Sequence, residues 1–169
     1  MKRWILFMAS VCLLLCGCTK SNIVYGDNKK YDDQYQSVDG IVWEQVWQDF
    51  SDTYADQDLF PFAVSVNGGI YPEENMARFY LLVNGDVSDK EAAEYATKVL
   101  KGFNDLIAIQ NSSYASSSEE SYGGYLAQYQ VYVMVGPDAT KDDPDTWILE
   151  DIIPAGEYHP VGGYAWSAE

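Results

Sequence analysis

Apolar and polar positions change their spacing several times along this chain, and each change marks an element. Between residues 39 and 54, Trp43, Trp47, Phe50 and Tyr54 recur at i, i+4, i+7 and i+11, with Val46 beside them. That spacing is one stripe of a helix, with Glu44, Gln48, Asp49 and Asp52 on its other faces. Asp39 stands where an N-cap is expected. Two tryptophans on one stripe can form a ligand platform, but core packing produces the same spacing and is the reading adopted. From 60 to 71 the period falls to two. Phe60, Phe62, Val64 and Val66 share one side, and Ala63, Ser65 and Asn67 the other, which predicts a half-buried strand. Gly68 and Gly69 permit positive φ there, with Ile70 and Tyr71 extending the strand to a turn at Pro72-Glu73-Glu74-Asn75. Residues 76–84 return, with Phe79, Leu81 and Val83 inward.

Ser88-Asp89-Lys90-Glu91 reads as a capping box, Ser at N-cap and Glu at N3. Behind it Ala92, Ala96, Val99, Phe103 and Leu106 keep helical spacing, widened by Tyr95, Leu100 and Ile107, so a helix is predicted over 88–110. Gly102 inside it costs about 1 kcal/mol relative to Ala, and a close approach of the helix to the sheet would explain its presence. A Ser-rich loop follows over 111–124. Residues 125–135 alternate again, with Tyr129, Val131, Val133 and Val135 on one face. A fourth, less regular strand spans 147–153. The tail, 155–169, is irregular, but Tyr158, Val161, Tyr164 and Trp166 make it apolar enough to dock in part. The order α-β-β-α-β-β predicts an α+β fold, a four-stranded, mainly antiparallel sheet with the helices packed on one face.

Residues 1–18 have no place in that layer. Lys2 and Arg3 precede an apolar run from Trp4 to Leu15, too short for the roughly 20 residues of a membrane-crossing helix. A basic start, a short apolar centre and small residues before a cut describe an export signal. The close, Leu15-Cys16-Gly17-Cys18, resembles the lipobox of bacterial lipoprotein precursors. Leu15, Gly17 and Cys18 match it, and Cys16 fills its second position. The resemblance covers only this segment and implies a signal peptide over 1–17, lipidation of Cys18 and an extracytoplasmic, membrane-held protein. Residues 18–38 then form the lipidated cysteine and a polar tether, and 39–169 a single domain. Two acyl chains hold a protein stably where one holds it marginally.

Charge and cysteine content narrow the function. The chain has 10 basic and 26 acidic side chains. Without Lys2 and Arg3 the basic count is 8, of which Arg78 is the single arginine. Nucleic-acid binding needs clustered Lys and Arg against phosphates, so that class is set aside. Anionic headgroups offer an acidic surface nothing, so the fatty chains do the holding. Cys12 and Cys16 leave with the signal and Cys18 is acylated. The mature domain then has no disulfide, thiolate ligand or cysteine nucleophile.

Candidate chemistry is sparse. His159, the only histidine, lies in the Pro/Gly-rich tail with no Gly-x-Ser-x-Gly elbow to serve, and reads as incidental. Asp138, Asp142, Asp143 and Asp145 form the densest acidic cluster, but EF-hand spacing fails from each start, and a solvated turn is the reading, with weak calcium binding the sharper alternative. No metal, cofactor or catalytic residue is assigned. The remaining distinctive feature is 14 tyrosines, several beside glycine, as in Ser121-Tyr122-Gly123-Gly124-Tyr125. Tyrosine gives contact area at little entropic cost, which suits protein, peptide or glycan recognition. The expectation is a non-enzymatic binding lipoprotein of the cell envelope, using loop 111–125 and the tail, from which 114–124 is removable without loss of the fold. The rival is a small envelope hydrolase built on two carboxylates in a shared cleft.

Overall fold

The computed structural model describes residues 40–163. Their order is α1 (Trp43–Tyr54), β1 (Ala63–Tyr71), β2 (Met76–Val83), α2 (Asp89–Gln110), β3 (Gln130–Pro137) and β4 (Leu149–Ile153). The fold is α+β, in the order the changes of period predict. The strands lie in the sheet as β1-β2-β3-β4; the outer pairs are antiparallel and β2 runs parallel to β3. A parallel neighbour requires a crossover, and α2 supplies it. The β1–β2 turn is a 3-10 turn over Pro72–Glu74 that closes on Asn75 at φ 51°, the left-handed region that asparagine tolerates.

Both helices cover the same side of the sheet. Phe79 of β2 meets Phe50 of α1 at 5.9 Å between ring centroids and Phe103 of α2 at 5.0 Å, and those two rings are 5.2 Å apart. Each edge-on contact adds about 0.5–1.5 kcal/mol to the area buried. Ala77, Leu81 and Val83 share that side of β2, as do Val131, Val133 and Val135 of β3, and all are buried. α2 starts as predicted: the Ser88 hydroxyl accepts from the Glu91 N–H at 3.3 Å, and the Glu91 carboxylate accepts from the Ser88 N–H at 3.0 Å. The hydrogen bond from the Ser88 side chain, seconded by its N–H, holds the Glu91 carboxyl below its ordinary value.

Several local expectations change. Asp39 lies outside the described residues, and the N-cap of α1 is Val42, with no side-chain cap. The Val42 N–H instead donates to Gln110 Oε1 of α2 at 2.6 Å. β1 begins at Ala63 and its register shifts between Ala63 and Ser65. A bulge inserts a residue and resets the alternation. Ala63 and Val66 are therefore buried while Phe62 and Val64 are half-buried. Phe60 and Phe62 pack on Tyr95 of α2, at 5.0 and 5.3 Å. Gly102 makes room for the Tyr54 ring of α1, not for the sheet. β3 starts only at Gln130, because Leu126–Gln128 form a 3-10 turn. β4 starts at Leu149, after Trp147 has turned its ring over Gly136. In the tail Val161 is buried and Tyr158 packs on the core, while Tyr164 and Trp166 lie outside the described residues.

Candidate functional site

The first half of α1 carries Trp43 and Trp47 over one end of the sheet. Beneath them β1 offers Gly68, Gly69 and Ile70 and then turns at Pro72. Tyr125 and Tyr129 approach from the segment that precedes β3. These residues line a cleft of about 490 Å³, within the usual range for small-molecule sites.

Its walls are held by the core. Trp47 lies 4.8 Å from Phe103 and 5.7 Å from Phe50. Trp43 and Tyr125 are 5.5 Å apart, and Tyr125 is 5.5 Å from Tyr129 and 5.2 Å from Tyr114. Trp43, Trp47 and Tyr129 are half-buried, one part packed and one part facing the cleft. Rings fixed in this way lose little freedom when they meet a ligand. Among the described residues, no Asp, Glu, Lys, Arg or His lines the cleft.

The glycine pair explains why the cleft forms where it does. Neither Gly68 nor Gly69 uses the positive φ that glycine permits, and the strand runs on through Ile70 and Tyr71. Each admits an aromatic ring, on opposite sides of the sheet. A Cβ on Gly68 would stand 3.3 Å from the Trp47 ring, 3.1 Å from Phe79 and 2.8 Å from the Arg78 carbonyl oxygen. The nearest atoms to a Cβ on Gly69 would be those of the Tyr71 ring, which covers that position on the open side, with the Arg78 guanidinium 4.7 Å from its centre. An aromatic ring laid over an edge-strand glycine shields bare backbone.

Tyr125 is placed by Asn104, a fully buried residue of α2. Asn104 Oδ1 accepts from the Tyr125 N–H at 2.9 Å, and its Nδ2 donates to the Ala115 carbonyl at 3.0 Å. Next to it Asp105 accepts from the N–H and hydroxyl of Ser117, at 2.6 and 2.7 Å. The Ser-rich loop is thus bonded along α2, and Tyr122 and Tyr125 are buried anchors. Removing 114–124 would extract Tyr122 and strip partners from Asn104 and Asp105. That deletion is therefore expected to cost the fold stability and not to leave it intact. Of the loop tyrosines, Tyr125 alone lines the cleft.

Loop and tail do meet, on the far side of the domain from β1. The Tyr122 hydroxyl donates to the His159 carbonyl at 2.9 Å, and its ring is 5.1 Å from that of Tyr158. Burial pushes the Tyr122 hydroxyl well above its ordinary range. Asp151 of β4 accepts from the Gly162 N–H at 2.7 Å and pairs with His159 Nε2 at 3.1 Å. His159 therefore fastens the tail. Lys101 donates to the Ser118 carbonyl at 2.6 Å and lies 5.6 Å from the Tyr158 ring centre. Burial lowers its pKa against the opposing pull of Glu119 and Asp105. The small cavity between loop and tail, about 70 Å³, has Glu120 and Glu157 on its rim.

Two carboxylates of the acidic cluster have local partners. Asp138 pairs with Lys141 at 3.3 Å, and Asp143 accepts from the Asp145 N–H at 3.2 Å. Among the described residues no three His, Cys, Asp or Glu side chains converge as a metal site. Cys18 lies outside the described residues. Among those described, no helix is long and apolar enough to cross a membrane. No family model, curated protein or solved structure matches the chain.

Sequence reasoning placed Trp43 and Trp47 on one stripe but had no means of joining them to Tyr125 and Tyr129. The usable signal was Gly68-Gly69 inside a strand pattern, which marks a bulge or a close approach by backbone or ligand.

Proposed function

We propose that this chain is a membrane-anchored, extracytoplasmic lipoprotein whose α+β domain is a non-enzymatic binding module for a protein, peptide or glycan of the cell envelope. The aromatic cleft of Trp43, Trp47, Tyr125 and Tyr129 carries the binding part of this reading. A ligand-sized concavity with fixed rings and no charged side chain among its described lining residues is suited to contact. Glycoside hydrolysis uses paired carboxylates at the bond to be cut, and among the described residues no carboxylate lines this cleft. The ending Leu15-Cys16-Gly17-Cys18 supports the anchor.

Two experiments test it with the full chain. Fatty-acid labelling of the expressed protein is expected to be lost in Cys18→Ala; label retained in that variant removes the anchor. The purified chain is expected to retain envelope material, and Trp43→Leu to reduce that capture about tenfold, roughly 1.4 kcal/mol. Undiminished capture by a folded Trp43→Leu variant moves the site elsewhere.

A further inference from the structure

We infer that the occupant of the aromatic cleft is an uncharged saccharide. This rests on the binding reading above and names its ligand class. Charge comes first. The chain has 26 acidic and 10 basic side chains, yet among the described residues none lines the cleft. An anionic ligand would meet a domain of its own sign, with no cation among the described lining residues to receive it. A cationic ligand would be drawn to the acidic surface but would find no carboxylate among the described lining residues. The Trp and Tyr faces would hold it by about 0.5–2 kcal/mol, less than it costs to take an otherwise unpaired charge out of water. The described lining therefore favours a neutral molecule.

The mixture of surfaces narrows the class further. The half-buried Trp43, Trp47 and Tyr129 and the buried Tyr125 line the cleft with aromatic side chains. Beside them runs the main chain of Gly68 and Gly69, which carries no side chains. β1 pairs with β2 and forms one edge of the sheet, so along it alternate N–H and C=O groups point away from β2. A purely apolar ligand would cover polar groups without bonding them, at about 1–3 kcal/mol each. A sugar ring has what these walls lack: C–H faces that lie on aromatic rings, and a rim of hydroxyls that both donate and accept. At about 490 Å³ the cleft admits a short oligomer.

The test uses the full chain in detergent. Neutral probes are the tetramers of β-1,4-linked glucose, α-1,4-linked glucose and β-1,4-linked N-acetylglucosamine. Controls are a tetragalacturonate, a tetralysine and an envelope extract freed of polysaccharide by muramidase and chitinase digestion, dialysis and periodate treatment, the enzymes removing amino-sugar polymers that lack the vicinal diols periodate cleaves. Tryptophan emission and calorimetry report binding. At least one neutral tetramer is expected to bind saturably and to shift the emission. Trp43→Leu and Tyr129→Leu, each checked for fold by circular dichroism, are expected to weaken it about tenfold. Trp147→Phe, outside the cleft, is expected to bind as the parent does. If periodate-treated extract binds through Trp43 and no neutral tetramer does, the saccharide inference fails and the binding reading stands. If neither the tetramers nor untreated extract bind, both fail. Equal binding by parent and both cleft variants also overturns the inference.

Discussion

Trp47 rests on the backbone of Gly68: a side chain there would begin 3.3 Å from the indole and 2.8 Å from the Arg78 carbonyl oxygen. The second contact is with the backbone of the paired strand, which cannot step aside. Gly68→Ala is therefore expected to destabilise the domain by about 1–3 kcal/mol, the usual range for overpacking. The nearest atoms to a Cβ in Gly69→Ala belong to the ring of Tyr71, a 39 % exposed side chain under the Arg78 guanidinium; a surface ring yields more cheaply than backbone, so this variant should lose less. Urea midpoints of the two variants decide it. Equal losses would mean that Trp47 is not seated on β1 as described.

The same logic separates helix propensity from packing at Gly102. Alanine there would gain about 1 kcal/mol of helix propensity, but the ring of Tyr54 occupies the space its Cβ needs. Gly102→Ala is expected to destabilise the parent and to stabilise a Tyr54→Ala background. A double-mutant cycle reads the coupling directly. Additive effects would refute the contact.

Asn104 is the buried link between α2 and the wall of the cleft. In Asn104→Leu the Ala115 carbonyl keeps the Gly124 N–H, at 2.8 Å. The loss therefore falls on the Tyr125 and Leu126 N–H groups, which donate to Asn104 Oδ1 at 2.9 and 3.4 Å. Removing the acceptor of a buried hydrogen bond costs about 1–3 kcal/mol. Denaturation should show that loss, and hydrogen exchange should quicken at Tyr125 before it does in β2. An unchanged Tyr125 amide would contradict the assignment.

These positions also show what a single sequence can and cannot yield. The capping box at Ser88 and Glu91, the stripe of α2 and the inward row of β2 were legible because each depends on neighbours within a few residues. The inward set of β1 was misread because one bulged residue between Ala63 and Ser65 resets the period. The start of β3 was misread because Leu126–Gln128 tighten into a 3-10 turn while keeping apolar residues in step. The cleft was illegible as a unit. Its rings come from α1 and from the approach to β3, brought together by the parallel β2–β3 pairing and the buried amide of Asn104.

Tyrosine ionisation gives a pH test with a fixed sign. Burial raises the hydroxyls of Tyr95 and Tyr122 above the ordinary value of 10.0. Tyr95 donates to the Tyr54 carbonyl at 2.6 Å and Tyr122 to that of His159 at 2.9 Å. In the unfolded chain both ionise near the ordinary value, so their contribution is intact below it and lost as pH rises toward their folded values. In an alkaline titration, two tyrosines are expected to ionise only as circular dichroism reports unfolding. The Tyr95→Phe, Tyr122→Phe double variant should lack that late step. All tyrosines ionising before any loss of structure would contradict the burial of both hydroxyls.

The claim on which the functional account turns is that ligand contact occurs at Trp43 and Trp47. The chain has 5 tryptophans, and the indole N–H resonances of a nitrogen-15-labelled sample report each separately. On addition of the neutral tetramer that binds best, the signals of Trp43 and Trp47 are expected to move together with the Gly68 and Gly69 amides, while Trp147 stays in place. Saturable binding that leaves Trp43 and Trp47 unmoved would contradict the account.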